Sequence, residues 1–232
     1  MDADAHQRVD ELFSRRELLK RGVVAGAVLT LPAFGTAHVG TAHAAPTVTA
    51  AAGRGSVLSP AQSAVLEALV ERLVPADANG PGGKEAGAAT YIEQSLSGGL
   101  AGGLTKSAPL YTAGLDAVDA WAKSAYGAAF TALSPKEQDA LIADLEANKA
   151  TGFNPNSFTF FSAVHEHTLE GMFGDPVYGG NKNFAGWNLI GYPGVKMPVS
   201  ARDQRVGVTV KPAHRSGYDF PGFTEARKAA SQ

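Results

Sequence analysis

The residues best equipped for chemistry lie together at His165-Glu166-His167-Thr168-Leu169-Glu170. Imidazoles move protons or ligate metals near neutral pH, and neighbouring carboxylates can join either task. Helical spacing sorts the possibilities. His167 and Glu170 stand three apart, and Glu166 and Glu170 four apart, so either pair shares a helix face and could hold one ion. His165 and His167 are about 200° apart around a helix and cannot both face the same ion. The H-E-x-x-H spacing of zinc peptidases is absent, and two ligands do not close a metal site. Acid–base catalysis by His165, His167 or Asp175 would need a nucleophile or an oxyanion hole beside it, and no motif supplies one. A free-standing enzyme using His165, Glu166, His167 and Glu170, with or without a metal, is therefore the secondary reading.

The segment that follows points to architecture. It runs Gly171-Met172-Phe173-Gly174-Asp175-Pro176-Val177-Tyr178-Gly179-Gly180-Asn181, then Gly186-Trp187-Asn188-Leu189-Ile190-Gly191-Tyr192-Pro193-Gly194. Gly171 to Pro176 reads as a helix end, and Gly179-Gly180-Asn181 permits positive φ and a sharp reversal. Tyr178, Phe184, Trp187 and Tyr192 add large contact area on a rigid turn, the composition of a docking surface.

The elements that must position this segment read as helices. Ser59-Pro60-Ala61-Gln62 is a capping box with Pro at the first helical position, and Val65, Leu66, Leu69, Val70, Leu73 and Val74 recur behind it at helical spacing. Pro75 ends that helix. A second spans Ala86 to Leu96 with Ala89, Ile92 and Leu96 inward; Gly98 to Gly103 breaks it. A third starts near Pro109 and carries Leu115, Val118, Trp121, Ala122 and Ala125. Ser134-Pro135-Lys136-Glu137 opens a fourth that buries Leu141, Ile142 and Leu145. A fifth runs from Phe158 to about Met172 with Phe161, Val164, Thr168 and Met172 on one face. No stretch alternates like a strand, and β structure is at most a short hairpin around Val206 to Val210. The expected fold is all-α: a small bundle of about five amphipathic helices over 58–174. A motif loop follows over 175–194, then an extended basic tail over 195–232.

Composition narrows the function. The 232 residues include no cysteine, which removes thiolate clusters, CxxCH haem attachment, Cys-type zinc sites and a thiol nucleophile together. A formal charge of −2 excludes a strongly basic nucleic-acid binder. There is no G-x-G-x-x-G opening a βαβ unit and no Walker A loop. The tail differs from the body. Residues 194–232 hold seven basic and three acidic side chains, net +4, whereas 45–193 hold eight and fourteen, net −6. A tail of this length without helical periodicity is ordered by something else or not at all. Tyr192, Tyr218, Phe220 and Phe223 give it apolar anchors for wrapping a partner.

The first 44 residues read as an export signal. Ser14-Arg15-Arg16-Glu17-Leu18-Leu19-Lys20 fits the twin-arginine pattern S-R-R-x-[FL]-L-K, and the apolar run Gly22 to Phe34 follows. Ala42-His43-Ala44 supplies the small-x-small cleavage pattern, with cleavage expected after Ala44. At ~1.5 Å per residue the apolar run is too short for a ~30 Å bilayer core, so a permanent span is the weaker reading. Residues 45–57 then read as a flexible leader. The twin-arginine translocase carries folded proteins. A chain exported folded but without a cofactor motif of its own points to a cofactor held by a companion.

H-T-L-E-G-M-F-G-D-P-V-Y-G-G-N followed by G-W-x-L-I-G-Y-P-G resembles the hallmark of the gluconate 2-dehydrogenase subunit 3 family. The likeness extends to the leader, the L-V-P-A-D segment (Leu73 to Asp77), Tyr111-x-x-Gly114-Leu115 and the Ser134 helix start. The resemblance implies the small subunit of a periplasmic, FAD-dependent sugar or sugar-acid dehydrogenase. FAD would sit in a large subunit of the glucose–methanol–choline type, and haem c in a multi-haem cytochrome c subunit. It implies no catalytic, cofactor-binding or metal residue in this chain. What carries over is the motif itself: Asp175, Pro176, Tyr178, Gly179, Gly180, Asn181, Trp187, Gly191, Tyr192 and Pro193 as fold-determining and partner-facing.

Overall fold

The computed structural model describes residues 56–98 and 103–223. The export signal with Arg15, Arg16 and Ala44, most of the leader, and the chain beyond Phe223 lie outside the described residues. Those described form helices, 3₁₀ turns and loops and hold no strand, so this part of the chain is all-α. The stretch 206–210 forms no hairpin.

Helix α1 (Pro60–Leu73) starts on the expected capping box: Ser59 accepts from the Gln62 amide, and the Gln62 side chain accepts from the Ser59 amide. It stops one residue before Val74, because Pro75 disfavours helical backbone in the residue ahead of it. Helix α2 (Ala88–Leu96) begins two residues later than its apolar pattern suggested, since Gly87 is left-handed at φ +80°. Helix α3 (Ala108–Tyr126) buries Tyr111, Leu115, Val118 and Ala122, while Ala125 faces solvent. Helix α4 (Pro135–Glu146) opens on the Ser134–Glu137 box; the Ser134 hydroxyl and amide both reach the Glu137 carboxylate and lower its pKa. Helix α5 (Ser157–Phe173) is capped by Asn156, whose side chain accepts from the Thr159 amide at 2.9 Å.

Helix α1 is central, touching α2, α3, α4 and α5, and α2 lies along α5. Leu66, Val70, Ile92, Leu115, Val118, Leu141, Ile142 and Met172 form the core between them. The inward face of α5 begins at Phe160 rather than Phe161. Phe160 lies one full turn before Val164 and packs edge-on to Tyr111 at 6.1 Å. Gly114 makes room for it: a Cβ there would run into the Phe160 ring. Between α1 and α4, the Arg72 guanidinium grips Asp139 through two 2.6 Å hydrogen bonds.

The segment expected to be an irregular motif loop carries a further helix, α6 (Ala185–Ile190), with 3₁₀ turns at Pro176–Tyr178 and Lys182–Phe184. Six residues give no readable periodicity and would not hold a helix in water alone. Tertiary contacts make α6: Trp187 and Gly186 pack onto the end of α5.

Candidate functional site

The last four carbonyls of a helix have no partner within it. In α5 they are Glu170 to Phe173, and the motif supplies partners for three. The Gly174 amide donates to Glu170 O at 2.8 Å and the Asn181 amide to Gly171 O at 2.7 Å. The Trp187 indole donates to Phe173 O at 2.8 Å. Asn181 is the hub. It is fully buried and left-handed at φ +45°; its amide group donates to Gly174 O at 2.8 Å, and its oxygen accepts from the Gly186 amide at 2.9 Å. The motif is thus a helix C-cap assembled from residues up to fourteen positions downstream.

Close approach dictates the glycine at 180. Its φ is not in the left-handed region, contrary to the freedom expected of the Gly179-Gly180-Asn181 run; Gly179 at φ +93° and Asn181 make that turn. A Cβ on Gly180 would land on the Gly171 carbonyl oxygen. The next turn is strained. Asn183 and Phe184 are left-handed at φ +54° and +58°, a conformation that asparagine tolerates but that costs a bulky residue such as Phe184 about 1–2 kcal/mol. The Phe184 ring offsets part of this by stacking between His214 at 4.9 Å and Trp187 at 5.3 Å.

The remaining motif residues also act as ties. Asp175 accepts from the Val177 amide at 3.0 Å and, across 42 residues, from the Gly217 amide at 3.0 Å. Pro176 opens the following 3₁₀ turn. Tyr178 and Tyr218 pair their hydroxyls at 3.1 Å; burial, then that contact, pushes the Tyr178 phenol up to about 12, so it stays neutral at physiological pH. Gly191 ends α6 at φ +69°. Tyr192 meets the Trp187 ring edge-on at 4.8 Å, and Pro193 accepts from the Ala213 amide at 2.7 Å. The motif therefore anchors the tail. Tyr218 and Phe220, expected as partner anchors, are engaged internally, Phe220 beneath the Arg215 guanidinium at 4.2 Å. The sequence signal that locates this return is the capping box Ser216-Gly217-Tyr218-Asp219.

The His/Glu cluster does not converge. His167 Nδ1 meets the buried Tyr111 hydroxyl at 2.8 Å, and Glu170 accepts from the Tyr91 hydroxyl at 2.9 Å. The His165 ring stacks on Phe161. Burial lowers the His167 pKa against the opposing pull of Glu170 and Glu166. Burial, then the Glu170 contact, raises the Tyr91 phenol to about 12. His167 and Glu170 thus bolt α5 to α3 and α2. Among the described residues no three His, Cys, Asp or Glu side chains are grouped to hold a metal.

The cap built by Asp175 to Pro193 closes the segment that comparison singles out. The family model for gluconate 2-dehydrogenase subunit 3 matches residues 60–194, from the start of α1 to the end of the motif. The chain belongs to that family. Membership makes it a subunit of a dehydrogenase complex. No curated protein and no solved structure matches the chain. The gluconate 2-dehydrogenase subunit 3 match stops where the tail begins, so the segment that Asp175 and Tyr178 hold in place lies beyond it.

Proposed function

We propose that the chain is the non-catalytic small subunit of a periplasmic FAD-dependent dehydrogenase acting on gluconate, glucose, fructose or a similar sugar or sugar acid. One observation carries the reading beyond family membership. The motif turns its polar groups inward to cap α5 while leaving Ile190 and Tyr192 half exposed at 52 % and 40 %. A segment that consumes its own polar atoms and presents an aliphatic and an aromatic side chain is suited to covering another protein's apolar surface. In this reading FAD belongs to the large glucose–methanol–choline type subunit, and haem c to a multi-haem cytochrome c subunit.

Binding the folded flavoprotein but not its unfolded chain stabilises it by mass action, by about 2.7 kcal/mol when the small subunit is a hundredfold above Kd. The leader carrying Arg15 and Arg16 then directs the assembled pair through the twin-arginine translocase, with cleavage after Ala44. The complex is peripheral to the inner membrane. Replacing Arg15 and Arg16 with lysines tests this in cell fractions. The flavoprotein and this chain should both remain cytoplasmic, whereas export of the flavoprotein regardless refutes the escort role. Sugar oxidation by the purified chain alone, with an artificial acceptor, would transfer the function to the His165/Glu166/His167/Glu170 reading.

A further inference from the structure

Beyond the motif, the chain leaves the body and returns. Two hydrogen bonds close the excursion at its base: Val195 N to Arg215 O at 3.0 Å, and Ala213 N to Pro193 O at 2.7 Å. The base is fixed to the motif, because His214 Nε2 meets Asn188 Oδ1 at 2.7 Å while Gly217 and Tyr218 bind Asp175 and Tyr178. Within the excursion, Lys196 and Ser200 both hold Asp203, which lowers that carboxyl to about 2 and gives the segment a defined turn.

Residues 196–212 nonetheless contribute no buried residue, and only Asp203 and Val210 are partly covered. Met197, Val199 and Val208 are partly exposed, at 44 %, 54 % and 38 %, and Val206 is wholly in solvent. Lys196, Arg202, Arg205 and Lys211 against Asp203 give the segment +3, and Arg202, Arg205 and Lys211 have no ion pair among the described residues. At its base a cleft of about 240 Å³ has walls from Val195, Met197, Val210 and Phe220 and cations Lys211 and Arg215 beside them.

We propose that residues 196–212 are a docking arm that grips an acidic, apolar surface on the substrate-oxidising subunit. The basal cleft takes one apolar side chain of that subunit with a carboxylate beside it. This rests on the small-subunit reading above. Charge complementarity sets the occupant's chemistry, since an arm of this charge with bare valines loses both liabilities only against an acidic, apolar partner. Membership of a dehydrogenase complex favours a different subunit over a second copy of this chain.

The test uses the complex purified from its native host through a C-terminal tag on this chain. A photoreactive benzoyl-phenylalanine replaces Val206 in one sample; Val206→Asp with Arg202→Glu and Arg205→Glu is a second. The probe should cross-link to the large subunit, identified by mass spectrometry. The triple variant should recover about tenfold less of that subunit, with an unchanged melting temperature for the chain itself. A silent probe with full recovery by the variant overturns the arm, as does a cross-link between two copies of this chain. If the unmodified chain brings down no large subunit, the small-subunit reading fails first and the arm falls with it.

Discussion

The Tyr111 hydroxyl and His167 Nδ1 stand 2.8 Å apart with their rings stacked, joining α3 to α5 through a buried tyrosine and a half-buried histidine. The contact gives the fold a pH dependence of definite sign. Burial lowers the folded-state pKa of His167 below its ordinary 6.5, so the unfolded chain binds the proton more readily. The associated stability is present above about 6.5 and lost as pH falls through the lowered folded value. Thermal melting between pH 8 and 5 should show a Tm that declines on the acid side. His167→Gln, which cannot charge, should flatten that decline. An equally steep decline in the variant would assign the dependence to other groups.

Asn181→Ala removes the hub of the α5 cap. Gly174 O and the Gly186 amide lose their partners inside the protein, and a residue less suited to φ +45° takes the position. Two unsatisfied groups should cost about 2–4 kcal/mol, read from the midpoint of urea unfolding. Asn181→Asp keeps the acceptor but loses the donor. It should lie between wild type and alanine only if the new carboxyl is protonated, so its loss should grow as pH rises.

Gly180→Ala and Gly191→Ala separate crowding from backbone strain. The first drives a methyl onto the Gly171 carbonyl and should destabilise by about 1–3 kcal/mol or more. The second adds a methyl in open space at φ +69°, with a cost near 1 kcal/mol. Equal losses from the two substitutions would contradict the close approach of Gly180 to α5.

Arg72→Met breaks the two-pronged contact with Asp139 that braces α1 against α4. Both side chains are mostly but not wholly buried, at 21 % and 16 % exposed. A loss of about 1–3 kcal/mol is expected, reduced when Asp139→Asn is made in the same chain. The double-mutant cycle measures the coupling directly, and an additive pair would show that the contact contributes nothing beyond packing.

The sequence by itself determined the helical class, the two serine capping boxes, the inward faces of α1, α2 and α4, and the family. These are local or periodic properties: a cap needs four neighbouring residues, and an amphipathic face repeats every 3.6. Tertiary structure decided the rest. Nothing in the chain order says that Asn181 and Trp187 would receive the carbonyls of α5, or that Gly180 is fixed by a touching backbone. Nor does it say that Asp175 would reach Gly217 and turn the tail back on the motif. The α6 helix was illegible for the same reason, because six residues hold helical form only where Trp187 has a surface to bury against. The His/Glu cluster read as possible chemistry because spacing along one helix is visible in a sequence. The partners that engage it, Tyr91 and Tyr111, come from two other helices that only folding brings alongside.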